Sequence, residues 1–175
     1  MSCSEKLKMF NSALSLLEAA GVDKPPVAVD KIAKFLGAKV RYSPLDEELS
    51  GMVFIKDDKS IIGVNALHHP NRQRFTIAHE IGHLCLHCDQ IDSEVHVDKQ
   101  FPMLMRDKTA SSGIDSIEIQ ANHFAAELLM PEKFINEYLE NNAFEIDDDS
   151  FISKIAKKFK VSPQAIQFRL GQVLR

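Results

Sequence analysis

The sequence predicts an α+β fold in which a small sheet is enclosed by helices. Three observations carry that prediction. Helical periodicity marks both ends of the chain. Three short β-rich runs fall between residues 38 and 65, and no linker, repeat or low-complexity block separates them from the helices. At 175 residues the chain is long enough for one hydrophobic core. The expected organisation is a single unit over 1–175. Residues 1–66 supply helices and a small mixed or antiparallel sheet, 67–141 a pair of site-bearing helices, and 142–175 a helical tail.

In chain order, residues 4–20 read as a helix stopped by Gly21 and Pro25-Pro26, and 28–36 as a second helix stopped by Gly37. The runs "AKVRYS" (38–43), "SGMVFIK" (50–56) and "SIIGVN" (60–65) read as strands, the last two forming a hairpin. Pro70 suits the first turn of a helix running to about Leu86. Residues 89–113 read as irregular, and 116–129, 131–141, 149–158 and 163–172 as helices.

Composition narrows the possible functions. No apolar run approaches the roughly 18 residues that cross a bilayer, and the N-terminal stretch lacks the pattern of a secretion signal. Three cysteines are an odd number and give no disulfide framework, so the expected location is the cytoplasm, with no membrane partner. The net charge of −4 argues against general nucleic-acid binding by the whole chain.

Within "FTIAHEIGHLCLH", His79 and His83 stand one turn apart, with Glu80 directly after the first histidine. On a helix, Ile77, Ile81, Leu84 and Cys88 fall within an arc of about 60° and form a core stripe. The histidines lie on the opposite side, flanked by Phe75 and Leu86, so the helix should be central and both imidazoles at least partly buried. Imidazoles at i and i+4 can hold one zinc ion, and Glu80, turned by one residue, can face a water without binding the metal. This is the HExxH arrangement of metallopeptidases, with Glu80 as catalytic base.

Catalytic zinc commonly has three protein ligands. His87 lies about 12 Å along the helix axis from His79, too far to share one ion, and reads as a helix-end residue. Cys85 and Cys88 project away from the histidine face and read as packing residues. The better third ligand is Glu118, in "DSIEIQANHFAAELLMP", at the margin of a stripe formed by Ile117, Ala121, Phe124 and Leu128. A capping box from Asp115 to Glu118 explains that carboxylate equally well on local grounds. The histidine motif upstream tips the choice towards a ligand. Asn122, one turn on, could hydrogen-bond a ligating histidine. His96 and Arg106, together with Tyr42 and Tyr138, are candidates for stabilising an oxyanion.

The pairing of "RFTIAHEIGHLCLH" with "IEIQANHFAAELLMP" resembles the ImmA/IrrE metallopeptidase family. The likeness extends to "SGMVFI", "IIGVN" and "HHPNRQRF" and covers about residues 25–135. It implies a zincin-like fold and a gluzincin-like site with one zinc ion held by His79, His83 and Glu118, and with Glu80 as base. It further implies limited cleavage of a helix-turn-helix transcriptional repressor, often encoded on a mobile element. Cys85 and Cys88 depart from the aliphatic residues more common there.

The tail, "FISKIAKKFKVSPQAIQFRL", resembles a helix-turn-helix in its own right. Ser162 and Pro163 suit an N-cap and first helical residue. The second helix would present Gln164, Gln167 and Arg169. Residues 151–175 hold six basic residues and no acid, so phosphate contacts are conceivable. Docking of 149–175 on the catalytic part is nonetheless the expectation. The competing readings are a DNA-binding or metal-sensing regulator, and an adaptor without turnover. An intact Glu80 speaks against both.

Overall fold

The computed structural model describes residues 7–57, 59–91, 96–99, 113–142 and 149–174, with backbone only for 96–99 and 113–115. Ser12 accepts a hydrogen bond from the Ser15 N–H at 3.2 Å and opens α1, Ala13–Ala19. Of the anticipated 4–20 helix, residues 4–6 lie outside the described residues, Leu7 is helical, and the helix breaks at 8–12 before Ser12 starts α1 afresh. Helix α2, Val29–Leu36, ends as expected at Gly37, whose φ of 87° is the left-handed conformation that closes a helix.

Strands β1 (Lys39–Ser43), β2 (Leu49–Lys56) and β3 (Lys59–Asn65) follow. A fourth, β4 (His96–Lys99), lies where the sequence reads as irregular. The sheet order is β1-β3-β2-β4, with β1 parallel to β3 and the other pairs antiparallel. The sheet is thus mixed, with β1 and β4 at its edges among the described residues. Gly51, Val53, Ile62 and Val64 share the buried face, while Met52, Phe54 and Ile61 on the other face are only half-buried.

Helix α3, Pro70–Ile91, lies against this buried face and packs most extensively on α4, Gly113–Leu129. Its backbone kinks at His87 (φ −131°, ψ 21°), one residue past the expected end. Ile77, Ile81 and Leu84 are fully buried and Cys88 nearly so, as the core stripe requires. The end of β3 is tied to the connection between β1 and β2 by Asn65, itself fully buried. Its side-chain amide donates towards the Leu45, Asp46 and Leu49 carbonyls, and its oxygen accepts from the Leu67 N–H.

Helices α5 (Glu132–Glu140), α6 (Asp149–Phe159) and α7 (Pro163–Val173) complete the described chain. Ser162 caps α7 by accepting from the Ala165 N–H at 3.1 Å. One hydrophobic cluster runs from Leu7 to Leu170 and includes Phe151, Ile155, Phe159 and Ile166 of the last two helices. Tyr138 packs its ring against Phe151 and Phe159. Arg74 of α3 donates to the carbonyls of Lys160 (3.2 Å) and Phe159 (3.5 Å), where a cation meets the C-terminal end of α6. Among the described residues, no helix is long and apolar enough to cross a membrane.

Arg169 corrects the reading of the tail. Its guanidinium is buried and donates from Nε to the Met130 carbonyl at 3.1 Å, at the end of α4, instead of presenting itself outward. Lys154, Lys157, Lys158, Lys160, Gln164 and Gln167 remain exposed.

Candidate metal centre

The site lies where α3 crosses α4. His79, Glu80 and His83 are 3%, 0% and 0% exposed, and Glu118 of α4 is 6% exposed. The two Nε2 atoms are 3.0 Å apart. Glu118 places one carboxylate oxygen 3.2 Å from His79 Nε2 and the other 3.3 Å from His83 Nε2. Asn122, one turn on, meets His79 Nδ1 at 2.9 Å through its side-chain oxygen. Because that oxygen only accepts, Nδ1 carries the proton, and the Nε2 lone pair points into the cluster.

This donor set fits a divalent ion. One ligand atom from each of His79, His83 and Glu118 can be chosen so that all lie within 4.8 Å of one another, and all three residues are buried. Ligands bound tetrahedrally at about 2.0–2.1 Å stand about 3.3 Å apart, close to the separations observed here. Two nitrogens facing each other beside a carboxylate in a water-poor interior need a cation or a proton between them. Glu118 does not fit the alternative capping role. Helix α4 begins at Gly113, two residues before Asp115, and both carboxylate oxygens of Glu118 reach the histidines.

Glu80 is turned towards the sheet. A side-chain carbon placed on Gly51 of β2 would come within 3.3 Å of Glu80 Oε1, and would also clash with Thr76 Cγ2 and the Gly63 carbonyl. The bare backbone at Gly51 therefore lets the strand approach this carboxylate. Gly51 is also the β2 residue paired with Asp98, next to a shift of register between β2 and β4, so the β4 edge lies one strand from Glu80. Arg72 holds the preceding residue, donating to Ser50 Oγ at 3.0 Å.

The remaining candidates lie elsewhere or are not described. His87 is buried at the kink, its ring 5.7 Å from that of His83, and takes no part in the three-residue cluster. It stands where the first, histidine-bearing piece of α3 ends, before the helix resumes to Ile91. Cys85 and Cys88 are buried and reduced, and burial, reinforced by Cys88, pushes the Cys85 thiol up to about 12. A thiol held neutral in this way is a packing group. Tyr42 donates to Asp30 at 2.8 Å on the opposite edge strand, and Tyr138 is committed to the tail. Neither is at the metal cluster. His96 belongs to β4 opposite Val53, with its side chain outside the described residues, as is the whole of Arg106.

Sequence reasoning overlooked Gly51, Gly82 and Asn65. A glycine inside a helical pattern, as at Gly82, was the available signal for a close approach.

The chain matches the family described as the IrrE N-terminal-like domain, a peptidase family, over residues 33–171. It is 32% identical to the radiation response metalloprotease IrrE of Deinococcus radiodurans over 117 residues, covering 66% of this chain but only 32% of that protein. It is 30% identical over 120 residues to the uncharacterized immunity region protein 2 of Bacillus phage phi105, covering 67% of each. In three dimensions it resembles a Mycobacterium tuberculosis transcriptional regulator with a TM-score of 0.60 at 19% identity. That match covers 97% of this chain and 52% of the other, a likeness of fold.

Proposed function

Because the chain belongs to the IrrE N-terminal-like peptidase family, we propose that it is a zinc-dependent endopeptidase that severs a helix-turn-helix transcriptional repressor at one extended segment. The observation that carries this reading is the convergence of His79, His83 and Glu118, with Glu80 next to His79 on α3.

In this reading His79 and His83, through Nε2, and Glu118, through its carboxylate, hold one zinc ion. When bound there, zinc supplies Lewis acidity towards a carbonyl and lowers the pKa of water towards about 7. Asn122 fixes the His79 tautomer and ring orientation, keeping Nε2 available. Glu80 accepts the proton of the attacking water as its oxygen bonds to the peptide carbon, and passes a proton to the amine as the C–N bond breaks. Close packing around Glu80 limits water and strengthens these charge interactions.

An extended substrate adds to the edge of β4, its backbone hydrogen bonds running alongside the strand nearest Glu80. The helical tail acts within the same unit. The inward turn of Arg169 supports docking over DNA reading, since it removes the one cation that the second tail helix would offer to a base edge. The test is co-expression with a helix-turn-helix repressor encoded beside the gene. One discrete cut is expected, lost in Glu80→Gln while zinc content is kept. Wild-type protein that carries zinc yet leaves the repressor whole would favour the adaptor reading instead.

A further inference from the structure

Gly82 stands between the two histidines, inside a helix, where glycine is the poorest residue other than proline. Its surroundings explain why it is there. A side-chain carbon at Gly82 would lie 3.1 Å from the Ala121 carbonyl oxygen, 3.2 Å from Ala121 Cα and 3.3 Å from Phe124 Cβ. Two of these three atoms belong to the α4 backbone and the third is fixed to it, so none can swing aside. Gly171, in α7, is different: a side-chain carbon there would meet nothing within 4 Å.

The crossing has a regular relation to the site. On α3, His79 and His83 lie at −3 and +1 from Gly82. On α4, Glu118 and Asn122 lie at −3 and +1 from Ala121. The close approach of Gly82 to Ala121 is thus bracketed on each helix by the two residues that meet those of the other. His79 touches both Glu118 and Asn122, and His83 touches Glu118, at 2.9–3.3 Å.

Resting on the metal reading above, we propose that the Gly82–Ala121 contact sets how far Glu118 stands from His79 and His83, making Gly82 a positioning residue for the third ligand. Spreading the helices by a few tenths of an ångström at this point withdraws the Glu118 carboxylate while leaving the two histidines, which share one helix, in place. Gly82 therefore governs metal affinity through Glu118 and not through the histidines.

The experiment measures zinc affinity of the full chain by chelator competition in wild type, Gly82→Ala, Glu118→Ala, the double variant and Gly171→Ala, and records melting of each metal-free protein. Gly82→Ala should weaken zinc about tenfold or more, the size typical of groups that orient a ligand. In the Glu118→Ala background the same change should alter affinity by less than about threefold, because the partner it acts through is gone. Gly171→Ala should leave zinc binding unchanged. Additive losses from Gly82→Ala and Glu118→Ala overturn the proposal, as does a Gly82→Ala protein that binds zinc like wild type or that has no cooperative melting transition when metal-free. A wild-type protein that binds no zinc fails differently, removing the metal reading together with this inference.

Discussion

The α3–α4 crossing and the α6–α7 tail both carry polar groups on amphipathic helices, and they use them in opposite ways. At the crossing, His79, His83, Glu80 and Glu118 are all buried, and the two histidines and Glu118 meet one another. In the tail, four lysines remain in water while Arg169, the basic residue on the second helix, is buried against the Met130 carbonyl. Polar spacing at i and i+4 among apolar neighbours thus signals converging chemistry, whereas a run of basic residues does not say which of them face out. The difference is physical. A buried carboxylate requires a strong partner, but a lysine on a helix flank is satisfied by solvent.

The largest effect expected is on turnover. Glu80→Gln should reduce repressor cleavage by at least about 100-fold, as befits loss of a general base. The paired neutralisation of Lys157 and Lys158 to Gln should leave it nearly unchanged. Cleavage assays with both variants decide the matter, and comparable losses would erase the contrast between the two regions.

Next in size is stability in the tail. Arg169→Leu removes a charged donor from a buried carbonyl and should cost about 2 kcal/mol, seen as a lower melting temperature. Lys158→Ala, on the exposed face, should shift melting by no more than about 0.5 kcal/mol. If the two variants melt together, the arginine contributes no more than a surface lysine. A gel shift adds a second check on the same helices: sequence-selective DNA binding that disappears on neutralising Lys157 and Lys158 would restore the regulator reading.

A smaller effect concerns Tyr42, which lies at neither region. Burial, helped by the hydrogen bond to Asp30, raises its phenol from 10.0 to about 12. A raised phenol pKa stabilises the fold below 10, and this contribution is lost as pH rises through about 12. Absorbance titration should therefore show one of the two tyrosines ionising late, and Asp30→Asn should bring it part of the way back. A Tyr42 that titrates at the ordinary value with Asp30 intact would contradict the contact.

Most elements were legible in the sequence because their signals are local. Gly37 ends α2, Ser162-Pro163 opens α7, and the hairpin between β2 and β3 follows from two β-rich runs joined by a short polar turn. The two polar pairs at the crossing were legible too, since the period of a helix aligns His79 with His83 and Glu118 with Asn122, but that the pairs face each other rested on the upstream histidine motif and the family resemblance. What escaped is non-local. Strand β4 has four residues, two of them charged in its last half, and exists through pairing with β2. The kink at His87 leaves no local mark, and the inward turn of Arg169 depends on a carbonyl 39 residues away. The roles of Gly51 and Gly82 emerge only when the strand and helix that approach them are in place.

The central claim is that His79, His83 and Glu118 together hold one zinc ion. Its most direct test is metal analysis of purified wild-type, His79→Ala, Glu118→Ala and Cys85→Ser proteins after dialysis against a mild chelator. One zinc per chain is expected in wild type and in Cys85→Ser, and little or none in His79→Ala and Glu118→Ala. Full zinc in Glu118→Ala, or zinc lost from Cys85→Ser, would contradict it.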